Sequence, residues 1–224
     1  MEKSIIQKMI EEKIISEKDI VEYYNANLKD KIECESEKVE STTYSIIEDG
    51  ILINFDERDL NRNGGYTTPK GVHTIGKKAF MDCSKLRKIV LTRDVIEIEE
   101  DAFIGCTFLQ SVKMTDSVRK IGTYAFYDCR SLTDLKLSNS IREISAYSFE
   151  DCVMLQEVIL PKKLKTIEVF AFGNCRNLNS ISTPSPNLEW VSEDAFLYAP
   201  IGRDFMRLYN KNKEEQKQEK GNTK

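Results

Sequence analysis

Residues 118–137 read VRKIGTYAFYDCRSLTDLKL, and this pattern returns along the chain at an interval of 23. Its phenylalanine recurs as Phe80, Phe103, Phe126, Phe149, Phe172 and Phe196. Only the last step is longer, by one residue, and it contains Pro184 and Pro186. In the same phase stand Cys83, Cys106, Cys129, Cys152 and Cys175, then Leu86, Leu109, Leu132, Leu155 and Leu178. Further apolar ladders run through Ile89, Val112, Leu135, Val158 and Ile181, through Leu91, Met114, Leu137 and Leu160, and through Ile75, Ile98, Ile121, Ile144, Ile167 and Val191. Self-similarity at such a period marks a repeat architecture.

Within a unit, Leu135 and Leu137 alternate with Asp134, Lys136 and Ser138, the period-two pattern of a half-exposed strand. One unit is too small to bury its own apolar face. Stacking the units in parallel places Phe on Phe and Leu on Leu and builds one continuous core. With strands about 4.8 Å apart, six units give a strand surface roughly 25 to 30 Å long.

The motif Cys-x-x-Leu-x-x-Ile-x-Leu followed by Val-x-x-Ile-Gly-x-x-Ala-Phe resembles the BspA-like (Treponema-type) leucine-rich repeats. The similarity covers about 71–197, and Asp49-Gly50-Ile51-Leu52-Ile53 with Gly71-Val72 resembles the opening repeat of such arrays. Ser148 replaces the usual Ala, Ala199 stands where a sixth Cys would fall, and Pro follows the strand only at Pro161 and Pro184. The repeat and the resemblance imply an α/β fold: a right-handed leucine-rich-repeat solenoid of about six 23-residue repeats with stacked parallel strands, which the N-terminal residues precede with a short helical hairpin. The resemblance also implies binding rather than catalysis, since the family's members are mostly surface-associated or adhesive proteins.

The flanks are read from their own residues. Ile5, Ile6, Met9, Ile10 and Ile14, then Ile20, Val21, Tyr24 and Leu28, recur at helical spacing on either side of Ser16-Glu17-Lys18-Asp19. This predicts a helical hairpin or N-terminal cap over 1–32, and a polar linker over 33–43. The solenoid is expected over 44–206, with 205–209 forming a helical turn or two over the last repeat. The polar residues 207–224 are expected to be a disordered tail.

Composition narrows the function. The 224 residues are 31% charged and 40% hydrophobic with a net charge of only −4, which excludes a global pull toward nucleic acid. No apolar run approaches the roughly 18 residues of a membrane span, and no secretion signal is visible, so a cytoplasmic location is expected. A cell-surface location would require a leader already removed. Cysteines 23 apart cannot form the short paired spacings of a metal site and are expected to be reduced core residues, with Cys34 alone exposed. His73 is the single histidine and is expected to point outward, with no nucleophile or orienting partner around it. Gly64-Gly65 reads as a turn, and Asp82, Asp128 and Asp151 as repeated loop positions. No catalytic residue, metal or cofactor is expected.

Alternation also assigns the outward columns. They are Lys88, Ser111, Asp134, Glu157 and Ser180, then Val90, Lys113, Lys136, Ile159 and Ser182, then Thr92, Thr115, Ser138, Pro161 and Pro184. These slots vary while the core slots hardly change. The expected partner-binding residues are Lys88, Val90, Lys113, Asp134, Lys136, Glu157 and Ile159. Their mixed charge suits a protein or peptide partner better than a nucleic-acid backbone, and no aromatic platform for bases is present. The expected function is a non-catalytic protein-binding module, the alternative a surface adhesin fragment binding host or matrix proteins.

Overall fold

Each 23-residue period forms one turn of a parallel-strand solenoid in a computed structural model that describes residues 43–182 and 187–221. The chain divides into two units, Met1–Thr42 and Thr43–Lys224, and only the second is described. The expected helical hairpin, nearly all of the linker, Cys34, Pro184 and Pro186 lie outside the described residues.

Two short strands mark each turn. The first series is β3 (Gly65–Thr67), β5 (Lys88–Val90), β7 (Ser111–Lys113), β9 (Asp134–Lys136), β11 (Glu157–Val158) and β13 (Ser180–Ile181). The second is β2 (Ile51–Asn54), β4 (Thr74–Ile75), β6 (Glu97–Ile98), β8 (Lys120–Ile121), β10 (Glu143–Ile144), β12 (Thr166–Ile167) and β14 (Trp190–Val191). Pairing is parallel and keeps the sequence phase: Ile89 stands beside Val112 and Val112 beside Leu135, as Ile75 stands beside Ile98 and Ile98 beside Ile121. That register lets one apolar residue per strand face inward at every turn, as the alternating burial of β5 shows.

A third side is also tied turn to turn, so the backbone polar groups there are satisfied. The amides of Phe80, Phe103 and Phe149 donate to the carbonyls of Ala102, Ala125 and Ala171 at 2.8, 2.8 and 3.0 Å. This side bends through left-handed residues. One column is Asp82, Gly105, Asp128, Asp151, Asn174 and Tyr198, mostly residue types that tolerate positive φ. Its repetition shows the aspartates to be backbone devices, as the sequence suggests. A second column, Lys78, Asp101, Tyr124, Tyr147 and Phe170, has the same φ with unrelated side chains. Two such bends per turn interrupt any helix. The α part of the expected α/β fold is therefore absent from the described turns and is confined to one C-terminal helix.

The core is a set of stacked ladders. Phe80, Phe103, Phe126, Phe149 and Phe172 are essentially fully buried, and so are Cys106, Cys129, Cys152 and Cys175. Each of these four thiols donates to the carbonyl of the phenylalanine 26 residues earlier: Cys106 to Phe80 at 3.0 Å, Cys175 to Phe149 at 3.2 Å. Burial pushes all four thiols well up from their ordinary range.

The two open ends of the core are closed differently. At the first, β1 (Ile46–Glu48) turns through Asp49 and Gly50, both at positive φ, and pairs antiparallel with β2. Asp59 holds this hairpin by accepting from the amides of Tyr44 and Ser45, both at 2.8 Å, and Phe55 stacks on Phe80 at 4.3 Å. At the other end, α1 (Gly202–Gly221) sets Phe205 against Phe196 at 4.9 Å, and the Tyr209 hydroxyl donates to the carbonyl of Glu189 at 3.0 Å.

The disordered tail expected over 207–224 is thus corrected over 207–221, where the chain is helical; 222–224 lie outside the described residues. Its Lys, Glu and Gln are strong helix formers, Lys211 and Glu215 pair at 3.8 Å one turn apart, and the anchored first turns remove the cost of nucleation. Polarity alone argues against packing, not against helix. Among the described residues no helix is long and apolar enough to cross a membrane.

One step of the stack differs from the rest. The first strand series pairs as β3 to β9 and again as β11 with β13, and the second as β2 to β8 and again as β10 to β14. Both ladders therefore stop between the turn at 118–137 and the turn at 141–160. Three buried serines, Ser138, Ser145 and Ser148, sit at this step. The Ser138 hydroxyl donates to the carbonyl of Val118 at 2.6 Å and that of Ser145 to the carbonyl of Ile121 at 2.7 Å. The Ser145 side chain thus takes a carbonyl whose counterparts at Leu52, Ile75, Ile98 and Ile144 accept backbone amides from the next turn. The phenylalanine rings are 4.6 and 4.8 Å apart before the step, 5.3 Å across it and 5.4 Å beyond it.

Candidate functional site

The first strand series presents the candidate surface. Lys88, Val90, Lys113, Asp134, Lys136, Glu157 and Ile159 are all exposed, Ile159 to 69% and Val90 to 40%. Two expectations about neighbouring slots are corrected. Ser111 is buried because its hydroxyl donates to the Asp134 carboxylate at 2.7 Å, which folds down over it. In the third outward column Ser138 and Pro161 are buried, and Thr92 and Thr115 are half-buried. Past the strand the chain bends inward toward the next turn, so strict alternation fails there. Thr68 and Thr92 pair through their hydroxyls at 2.9 Å, and Thr115 donates to the carbonyl of Thr92 at 3.3 Å.

The interruption of the strand ladder gives this face its relief. Between β9 and β11 lies a depression of about 330 Å³, whose wall includes Asp134, Leu135, Lys136, Asn139, Glu157 and Ile159. Four of the seven expected binding residues meet there; Lys88, Val90 and Lys113 lie on the strands before it. Leu135 belongs to a core ladder by sequence but is only partly buried, because no paired strand covers it on the β11 side. Sequence reasoning missed it and Asn139. The usable signal was the serine substitution at Ser148, which marks the same step. Asn139 is fixed by its amide donating to Asp116 at 2.9 Å, a bond that holds the Asp116 carboxyl below its ordinary value, helped by Lys136 and Lys162.

The wall combines an exposed aliphatic, two carboxylates and an ammonium. Such a set offers shape and charge to a partner; it has no paired nucleophile and base. Among the described residues no three His, Cys, Asp or Glu side chains group as a metal site. His73 is exposed, and its Nδ1 lies 3.1 Å from the hydroxyl of Thr74.

Comparison with known proteins agrees with this architecture. A leucine-rich repeat protein from Eubacterium ventriosum is 26% identical, covers 70% of this chain and 48% of its own, and superposes with a TM-score of 0.53. The chain thus spans about half the length of that protein. The T. pallidum leucine-rich repeat protein is 24% identical over 75% of this chain and 94% of its own, with a TM-score of 0.54, and supports the fold. No curated protein is significantly similar to the chain. The model of the BspA type leucine-rich repeat region matches residues 73–201 in six copies, more than half of the sequence, and the chain belongs to that family.

Proposed function

We propose that the chain is a non-catalytic binding module that holds a protein or peptide partner on its first strand series, centred on the depression between β9 and β11. The observation that carries this is the 69% exposure of Ile159 at the rim of a recess also walled by Asp134, Lys136 and Glu157. A large aliphatic left in water beside charges of both signs is what an interface centre with a polar rim presents before its partner arrives. The partly exposed Leu135 extends the apolar floor. Lys88, Val90 and Lys113 continue the same face along the strands and give a partner a second contact area, two ammonium groups around an exposed aliphatic.

The test is capture of binding partners from host lysate by the intact chain and by an Ile159→Asp variant. Partners retained by the first and lost by the second support the strand face. An identical set on both removes the depression from the site.

A further inference from the structure

A second recess, of about 380 Å³, opens away from the strand face, between the approach to β10, β12 and β14 and the middle of α1. Its wall includes Arg142, Lys163, Lys165, Glu189, Lys213 and Gln216. The solenoid register builds most of it. Arg142, Lys165 and Glu189 each precede a strand of the second series, and their backbones are joined rung to rung, Lys165 donating to Arg142 and Glu189 to Lys165, both at 2.7 Å. Their side chains therefore leave the solenoid about 4.8 Å apart. The Tyr209 bond to the Glu189 carbonyl pins α1 beside this column, which brings Lys213, one helical turn later, to the same recess.

The charge balance here is one-sided. At other rungs opposite charges meet and pair: Lys120 with Glu97 at 2.5 Å, Lys77 with Glu100 at 2.8 Å. In the recess, four cations face one carboxylate. Glu189 is already taken by Lys165 at 2.5 Å, and its carboxyl is held below the ordinary value by that bond and by Lys213. Arg142 and Lys163 have no ion-pair partner among the described residues, although the whole chain carries a net charge of −4. Cations stacked on neighbouring rungs repel, and a guanidinium beside two ammonium groups is a set of charged donors with no acceptor of its own.

We propose that this recess is an anion site for a phosphate monoester group, held by the guanidinium of Arg142 together with Lys163 and Lys213, with Gln216 as a neutral donor. A dianion offsets most of the local surplus, and its oxygens accept from the Arg142 fork and the flanking ammonium groups at once. A monoanionic carboxylate leaves part of that surplus unmatched. The site is separate from the strand face: its side chains leave the solenoid beside the second strand series and from α1, and they are mostly cations where the strand face mixes both signs.

The test uses the full chain at constant ionic strength, following backbone amide resonances as inorganic phosphate is added above pH 7, with chloride as the control. Saturable shifts centred on Arg142, Lys165 and Lys213 are expected. In an Arg142→Gln, Lys163→Gln double variant the apparent affinity should fall at least about tenfold, with the thermal midpoint unchanged or raised because repulsion is relieved. A Lys113→Gln, Lys136→Gln variant should bind phosphate as the parent does, which separates this site from the strand-face reading. Sedimentation with phosphatidylcholine vesicles carrying phosphatidic acid then assigns the source: sedimentation lost in the double variant means a lipid headgroup, and no sedimentation with intact phosphate binding means a soluble phosphate ester. Shifts that grow linearly as they do with chloride, or equal affinity in the double variant, overturn the proposal.

Discussion

The hydroxyl of Ser145 donates to the carbonyl oxygen of Ile121 at 2.7 Å, across the step where β8 and β10 are not paired. Ser138 donates to the carbonyl of Val118 at 2.6 Å. Ser145 stands in for a bond that the ladder lacks, since the equivalent carbonyls of Ile98 and Ile144 accept the amides of Gly122 and Glu168. Ser145→Ala should leave the Ile121 carbonyl buried without that donor and cost about 1 to 3 kcal/mol, measured by urea unfolding. A variant as stable as the parent would show that water reaches this step and satisfies the carbonyl.

Ser148 lies at the same step with the opposite consequence. Its hydroxyl is buried and has no hydrogen-bond partner, whereas the equivalent slots hold buried Ala79, Ala102, Ala125, Ala171 and Ala195. Ser148→Ala removes an uncompensated polar group without adding volume. It should stabilise the solenoid by about 1 kcal/mol, seen as a raised thermal midpoint. A lowered midpoint would mean that the hydroxyl is bonded after all.

The ladders that specify the fold were legible because stacking demands the same residue at the same phase, and Phe126 or Leu132 cannot vary without breaking two interfaces. What was not legible depends on backbone direction. Tyr124 and Phe170 share a left-handed bend with Lys78 and Asp101, and no residue type marks it. The inward turn that buries Ser138 and Pro161 follows from the same loss of strand geometry. The seven site residues are exposed as alternation requires, yet alternation could not locate the recess, since that depends on the ladder failing between β9 and β11. Helix α1 was missed beyond its first turns because its polar residues pack little and are held by their own backbone.

The cysteine ladder makes a prediction about alkaline pH. Burial pushes the Cys83 thiol from its ordinary 9.0 up to about 11, and the deeper thiols are also raised. A group whose pKa is raised on folding contributes stability that is complete below the unfolded value and lost as pH rises toward the folded one. Unfolding free energy should therefore hold up to about pH 9 and decline above it. At neutral pH, labelling of Cys106, Cys129, Cys152 and Cys175 by a thiol reagent should require denaturant, and rapid reaction at Cys129 in the folded chain would refute the stacked core there.

Phe126 supports the middle of the array from both sides, with ring centroids 4.8 Å from Phe103 and 5.3 Å from Phe149. Phe126→Ala should cost about 3 to 5 kcal/mol, from lost transfer energy and the cavity left behind. Because neighbouring turns stabilise one another, the unfolding transition should also broaden or split. A small, single-transition loss would mean that the turns on either side collapse into the space.

Charge reversal on the strand face separates stability from recognition. Lys113 and Lys136 pair as neighbours on β7 and β9, are exposed and have no ion-pair partner among the described residues. Replacing both by Glu should therefore shift stability by no more than about 0.5 kcal/mol for each substitution. Both changes act on one strip: Lys136 lies in the wall of the depression, and Lys113 stands one strand before it. A partner held there by complementary charge should associate more slowly and bind at least about tenfold more weakly, since reversal replaces attraction by repulsion at two sites. Binding measured at two salt concentrations adds a second check, because the parent's affinity should weaken with salt far more than the variant's. If the folded double variant keeps both its affinity and its salt dependence, the partner contacts another face, and Ile159 remains exposed for a reason other than binding.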